Sequence, residues 1–167
     1  MRILLLAAAL VLSACASASA QDDPIPLWRR DTQDLARDTE IARNCALSNA
    51  ESCDRVIQDE CTGGDGGEGI TPAVLRTCDW RAIAAWEDVS EQMLTELRGR
   101  LDGRNLANLE ASQTAWQASM LADVTAAMDL YEGGSLQGAV GADVRARATS
   151  YRAVYLSGLL RQIGEDE

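Results

Sequence analysis

The sequence contains no histidine, no lysine and no phenylalanine, so that arginine supplies all of its 15 basic side chains. Without histidine, the chain cannot form the Ser–His or Cys–His pairs that activate many catalytic nucleophiles. The best local group of carboxylates is Glu87, Asp88 and Glu91, and its spacing indicates a solvated helix face. We therefore predict that the protein is not an enzyme and uses no cofactor.

The charge is strongly one-sided, because 26 acidic residues face 15 basic ones and the net charge is −11. The phosphates of nucleic acids and anionic lipid headgroups repel such a chain, whereas basic proteins attract it. We expect no nucleic-acid partner and a basic protein as the binding partner. A simpler interpretation is that the charge only keeps an exported protein soluble.

The first 20 residues have the pattern of a bacterial export signal, in which Arg2 precedes a ten-residue apolar run and small residues follow. That run is too short to remain as a membrane-spanning helix. Two processing sites are compatible with the pattern: a lipobox, LSAC, that would lipidate Cys15, and the motif ASA over residues 18–20. We predict a protein of the periplasm or outer membrane, attached to a membrane only through a lipid on Cys15.

Four cysteines remain beyond this segment, and an even number in an oxidising compartment predicts two disulfides. Ser48 and Glu51 fit a capping box, which predicts a helix over about residues 49–61. Two cysteines on that helix, Cys53 and Cys61, would lie ~12 Å apart, too far to bridge. A metal site would need closely spaced pairs such as Cys-x-x-Cys, which are absent, so we predict no metal. Of the two remaining pairings we prefer Cys45–Cys53 with Cys61–Cys78 over Cys45–Cys61 with Cys53–Cys78.

Apolar residues recur every three to four positions, and no window alternates as a strand would. Thr71-Pro72 is typical of a helix start, Asn105 of a helix cap, and Gly133-Gly134 of a helix end. We predict an all-α fold: an antiparallel up-down bundle of three long helices, with a short disulfide-stapled N-terminal helical extension. After a tether over 21–26, residues 27–167 form one domain, with helices over about 27–46, 49–61, 72–101, 105–132 and 139–163.

The predicted core depends on the bulky members of the apolar stripes, which are Trp86, Trp116, Tyr131, Tyr151 and Tyr155. The first helix is weakly apolar and is expected to pack at the margin. One polar side chain, Gln113, interrupts the stripe of the second long helix. A buried amide needs a hydrogen-bond partner, and we expect Thr149 or Arg152 on the last helix to supply it.

Residues 62–69 contain five glycines in eight positions and must form a loop. Asp65 and Glu68 lie in this loop, but the spacing of an EF-hand calcium site is missing. A flexible connection is the simpler interpretation of these residues.

Three short motifs occur in a recognisable order over about residues 61–160: Gln-x-x-Trp, then Gly-Gly-Ser, then Thr-x-x-Arg. This series resembles the LprI-type lysozyme-inhibitor family of small exported helical proteins. The chain departs from the family pattern at Met120, where arginine is usual, and at Trp86, Ser90 and Met93, where aspartate, asparagine and tyrosine are usual. The matching residues, which we expect to be structural, are Gln113, Trp116, Gly133, Gly134, Ser135, Thr149 and Arg152.

The resemblance implies a protein that binds lysozyme stoichiometrically and inhibits it. An acidic surface suits that task, because animal-type lysozymes are basic. We expect the loop over residues 62–70, with Asp65 and Glu68, to contact the partner. The alternative function is an envelope scaffold that binds another protein through its N-terminal extension and makes no contact with lysozyme.

Overall fold

A computed structural model describes residues 32–48, 53–63 and 70–165 of the chain. The signal segment, Cys15, the tether, and both Asp65 and Glu68 lie outside these residues. The described part is all-helical and contains no strand, which confirms the predicted fold class. Its five helices are α1 (Thr32–Ser48), α2 (Val56–Thr62), α3 (Pro72–Arg100), α4 (Gly103–Asp129) and α5 (Gln137–Glu165).

The start of α3 follows directly from local sequence. The Thr71 side chain accepts a hydrogen bond from the Val74 backbone N–H at 3.3 Å, and Pro72 occupies the first helical position. Threonine satisfies an otherwise unpaired N–H there, and proline has no N–H to satisfy. This helix start is as predicted.

Other predicted helix ends are wrong by several residues. Ser48 is the last residue of α1 and donates to the Cys45 carbonyl at 2.8 Å, so it does not cap a following helix. The helix α2 begins at Val56, and α4 begins at Gly103, before the predicted cap Asn105. The helix α4 ends at Asp129, whereas Gly133 lies in the following turn with φ of 72°.

The cysteines pair as Cys45–Cys53 and Cys61–Cys78, which is the pairing the sequence favours. The first disulfide ties the end of α1 to the chain before α2, and the second ties the end of α2 to α3. Together they hold the three N-terminal helices as a covalently linked unit.

The core lies between α3, α5 and α1, with α2 against α3. Trp86, Leu97 and Leu156 are fully buried in it. The expectation that α1 packs at the margin is wrong, because Ala42 and Ala46 are fully buried too. Alanine contributes little hydrophobicity to a sequence pattern, but it allows helices to approach closely.

The helix α5 presents a different face to the core than its apolar stripe predicts. Tyr151 is 62 % exposed and Tyr155 is 52 % exposed. The buried face consists mainly of small side chains: Ala139, Ala142, Ala146, Thr149, Ser150, Ala153 and Ser157. The Ser157 hydroxyl donates to the Ala46 carbonyl at 2.8 Å, which fixes α1 against this small-residue face.

The helix α4 packs along α5 and makes only slight contact with the other helices. It runs antiparallel to α5, because Gln113 near its beginning meets Arg152 while Met128 near its end meets Gly141. A Cβ at Gly141 would lie 2.7 Å from Cγ of Met128, so glycine permits this close approach. Only Leu109 and Met120 of α4 are buried, and the predicted core residue Tyr131 is exposed in the turn that follows.

Candidate functional site

Arg152 is the centre of the polar cluster that the sequence motifs form. Its Nε donates to Oε1 of Gln113 at 2.9 Å, and its Nη1 donates to Oγ of Ser112 at 3.2 Å. The guanidinium carbon lies 5.6 Å from the centre of the Trp116 ring and 5.2 Å from that of Tyr155. The predicted bond from Gln113 to Arg152 is therefore confirmed.

The guanidinium of Arg152 is buried but has only neutral neighbours. The residue is 6 % exposed, and Nη2 has no hydrogen-bond partner among residues 32–48, 53–63 and 70–165. No carboxylate of these residues lies within ion-pair distance of it. Burial lowers the pKa of Arg152, an effect that Tyr155 opposes. Most other buried cations in proteins are paired with an acid, so this arrangement is unusual.

Thr149, the other predicted partner of Gln113, bonds within its own helix. Its hydroxyl donates to the carbonyls of Arg145 and Ala146 at 3.0 and 2.9 Å. Gly133, Gly134 and Ser135 lie in the exposed turn between α4 and α5, remote in sequence from the Arg152 cluster. The structure therefore brings together Gln113, Trp116 and Arg152 but leaves the Gly-Gly-Ser motif apart.

A groove of about 270 Å³, which we name the Leu159 groove, lies beside the Arg152 cluster where α3 ends, α4 begins and α5 ends. Ser112 and Tyr155 belong both to its wall and to the surroundings of Arg152. The rest of its rim is polar, with Asn105, Asn108 and Gln162, and its apolar lining consists of Leu97, Leu101, Leu109, Leu159 and Ile163.

The second distinctive surface is the face of α4 that no described helix covers, together with the α4–α5 turn; we name it the α4 face. Large apolar side chains are exposed on it: Leu121 at 57 %, Leu130 at 83 %, Tyr131 at 43 % and Leu136 at 42 %. Its exposed charges, Asp123, Asp129 and Glu132, are all acidic, and no basic residue occurs between residues 105 and 144. This surface is not expected from the sequence, because the apolar stripe predicts that α4 lies inside the bundle.

The carboxylates predicted as a solvated face are linked, directly or through Arg98, to three other helices. Glu87 pairs with Arg145 of α5 at 2.6 Å, and Asp88 accepts from the Thr39 hydroxyl of α1 at 3.1 Å. Glu91 pairs with Arg98, which also pairs with Glu110 of α4 and lowers the pKa of Glu110. The three acids therefore act as links between helices.

Among the residues described here, no group of three or more metal-ligating side chains occurs.

Asp79 is a buried acid that sequence analysis did not single out, since nothing distinguishes it from the exposed acids of α3. Burial and the neighbouring charge of Asp143 raise its pKa from 3.8 to about 6. The Gln58 amide, Arg55 and Arg147 oppose this shift. These groups come from α2 and α5, so Asp79 reports on how both helices pack against α3.

The raised pKa of Asp79 predicts a pH dependence of stability. Asp79 keeps its proton up to about pH 6 in the folded state, whereas it loses the proton near pH 4 in the unfolded state. The contribution of Asp79 to the free energy of unfolding therefore falls as pH rises between those values. We expect Asp79→Asn to raise the free energy of unfolding at pH 7 by about 1–2 kcal/mol and to have little effect at pH 4. Urea unfolding of both proteins between pH 4 and pH 7 measures the difference, and a constant difference over that range would contradict the assignment.

Comparison of the chain with protein-family models, with curated proteins and with solved structures finds no match. No helix within the described ranges is both long and apolar enough to span a membrane.

Proposed function

We propose that the protein is an exported binding protein of the cell envelope that inhibits lysozyme by forming a stoichiometric complex. The observation that carries the proposal is the α4 face, where exposed apolar side chains stand among charges that are all acidic. The resemblance of the Gln113, Trp116 and Arg152 motifs to LprI-type inhibitors supports lysozyme as the partner. The function is binding, with no catalytic step and no cofactor.

The chemistry of the α4 face suits a basic protein. Acidic charges on an exposed surface accelerate encounter with a basic partner and disfavour acidic ones. Leu121 and Leu130 then supply apolar area that becomes buried in the complex, as the centres of protein interfaces require. A helix that packs mainly against one neighbour leaves room for a partner along its free side.

The inhibition assay tests the proposal. We expect the purified protein at micromolar concentration and low salt to slow the lysis of cell walls by an animal-type lysozyme, with an equimolar end point. Added salt should weaken inhibition because it screens the exposed charges. An unchanged rate of lysis under these conditions would reject lysozyme as the partner; retention of another basic envelope protein would then favour the scaffold function.

A pair of charge-reversal variants locates the interface. Asp123→Arg with Asp129→Arg changes the α4 face, and Asp34→Arg with Glu40→Arg makes the same charge change on exposed positions of α1. We expect the α4 variant to weaken inhibition by about 10-fold or more and the α1 variant by about 2-fold. Equal effects would mean that net charge alone, and not the α4 face, governs binding.

The glycine-rich loop over residues 62–70 is a second proposed contact, through Asp65 and Glu68. The Cys61–Cys78 disulfide at its base supports this role, because it holds both ends of the loop on the helices. Asp65→Asn with Glu68→Gln should then weaken inhibition independently of the α4 variant.

We also infer that α3, α4 and α5 act as an up-down unit to which the disulfide-linked α1 and α2 are fixed. The opposed directions of α4 and α5 support this inference.

Export is part of the proposal. The segment over residues 1–20 would direct the chain to the periplasm or the outer membrane, where disulfides form. Mass spectrometry of the mature N-terminus distinguishes a lipidated Cys15 from cleavage after residue 20. Recovery of a full-length chain that begins at Met1 would contradict export.

A further inference from the structure

We propose that the Leu159 groove binds a small aliphatic carboxylate, whose head group pairs with Arg152. This site differs from the α4 face and does not depend on the proposed inhibition of lysozyme. Three observations support this site: Arg152 is a buried cation with no acid beside it among the described residues, its Nη2 has no hydrogen-bond partner there, and an apolar groove shares Ser112 and Tyr155 with its surroundings.

The buried charge of Arg152 favours an anionic ligand. Burial of a guanidinium is costly unless an anion or several hydrogen bonds compensate for the lost water. In the described part of the chain, Gln113 and Ser112 each accept one hydrogen bond from Arg152, and its Nη2 has no partner. A carboxylate fits a guanidinium well, because its two oxygens match two adjacent N–H groups.

The guanidinium and the groove share two neighbouring side chains, which determine access to the cation. Ser112 and Tyr155, which both contact Arg152, also form the wall of the groove. The Tyr155 side chain packs over the guanidinium on one side and is half exposed, so it can turn into solvent without losing a buried environment. Because Nη2 is itself buried, a carboxylate in the groove would reach the Nη1–Nη2 edge once this ring turns aside.

The lining of the groove determines the rest of the ligand. Its apolar side is formed mainly by five aliphatic residues, with Tyr155 on the wall next to Arg152, and such a lining favours a flexible hydrocarbon chain over a flat ring system. The volume of about 270 Å³ is at the lower limit of ligand pockets in general, which fits a small ligand. The amides of Asn105, Asn108 and Gln162 lie at the rim, so this polar end of the groove is in contact with water.

Calorimetric titration with decanoate tests the proposal, and decanol, which has the same chain but no carboxylate, is the matched ligand. We expect one decanoate per chain, and decanol to bind at least about 10-fold more weakly, since hydrogen bonds to charged groups contribute the difference. The titration is done at about 0.15 M salt, which reduces repulsion by the acidic surface. Equal affinities of the two ligands, or no saturable binding of decanoate, would overturn the proposal.

Three variants separate this site from general effects. Arg152→Gln should reduce decanoate affinity to that of decanol, whereas Arg76→Gln, which removes the same charge at the opposite end of α3, should leave it unchanged. Asn108→Trp fills the groove from an exposed position and should abolish binding while the helical circular dichroism is kept. If Arg152→Gln does not fold, Asn108→Trp decides alone. The assignment would be overturned if folded Arg152→Gln or folded Asn108→Trp bound decanoate within 2-fold of the parent protein.

Discussion

Replacing Trp86 with alanine is expected to lower the free energy of unfolding by about 3–5 kcal/mol. The side chain is fully buried in a core whose other members include many alanines, such as Ala82, Ala85 and Ala146. Small side chains cannot move far enough to fill the space that an indole leaves, so most of the cavity should remain. Urea unfolding followed by circular dichroism measures the loss without relying on tryptophan fluorescence.

Trp116→Ala is the matched control for this prediction, because it makes the same chemical change on α4. Trp116 is only partly buried, so we expect a loss of about 1–2 kcal/mol. The loss of unfolding free energy for Trp86→Phe should fall between the losses of the two alanine variants. Nε1 of Trp86 has no hydrogen-bond partner among the described residues, so its removal costs little. Equal losses for the two alanine variants would contradict the peripheral position of α4.

Removal of the Asp38 carboxylate has the second largest expected effect. Its two oxygens accept from Nε and Nη2 of Arg81 at 2.9 and 3.0 Å, and its side chain is only 2 % exposed. We expect Asp38→Ala to lower the free energy of unfolding by about 2–4 kcal/mol, because Arg81 is then left without its paired carboxylate. Arg81 keeps some exposure to water, which places the expected loss below that of a completely buried pair.

Asp34→Ala provides the control, since Asp34 is an exposed acid one turn earlier on α1 and should cost less than about 0.5 kcal/mol. The double variant Asp38→Ala with Arg81→Ala completes a cycle that isolates the pair. We expect a coupling of about 1–3 kcal/mol by chemical denaturation. Additive losses would show that the two side chains stabilise the fold separately.

Features that depend on neighbouring residues could be predicted from the sequence. The start of α3 follows from the order of Thr71 and Pro72, which act within one helical turn. The preferred cysteine pairing joins cysteines that are near one another in the chain, 8 and 17 residues apart, although the helix rise used to exclude Cys53–Cys61 does not apply, since Cys53 lies before α2. In both cases the physical constraint acts over a distance that the sequence itself specifies.

The faces that helices present to one another could not be predicted in the same way. An apolar stripe indicates where a helix can bury large side chains, but α5 instead packs through alanine, serine and threonine. Tyr151 and Tyr155 combine an aromatic ring with a hydroxyl, so they tolerate exposure that leucine would not. Close approach between backbones is favourable only when the partner helix has a complementary face, and the sequence pattern of one helix does not contain that information.

Of the candidate sites, one could be predicted from the sequence and the other could not. The bond between Gln113 and Arg152 was predicted because a polar residue within an apolar stripe requires a partner. The α4 face was missed because its exposure depends on how far α4 stands from α3. A useful signal was present in the sequence: the absence of basic residues over 105–144 sets this segment apart from the arginine-rich helices on either side.

The pairing of α3 with α5 also determines when the protein can fold. Residues 101–136 separate the two helices in the chain, although these two helices pack together more extensively than any other pair. Closing so long a segment costs entropy before any contact is gained, which slows folding compared with bundles of adjacent helices. Before α5 packs, α1 and α2 cover only part of α3, and the side of α3 that α5 buries stays open. The side of α3 that α5 covers is therefore the last large part of the core to be buried.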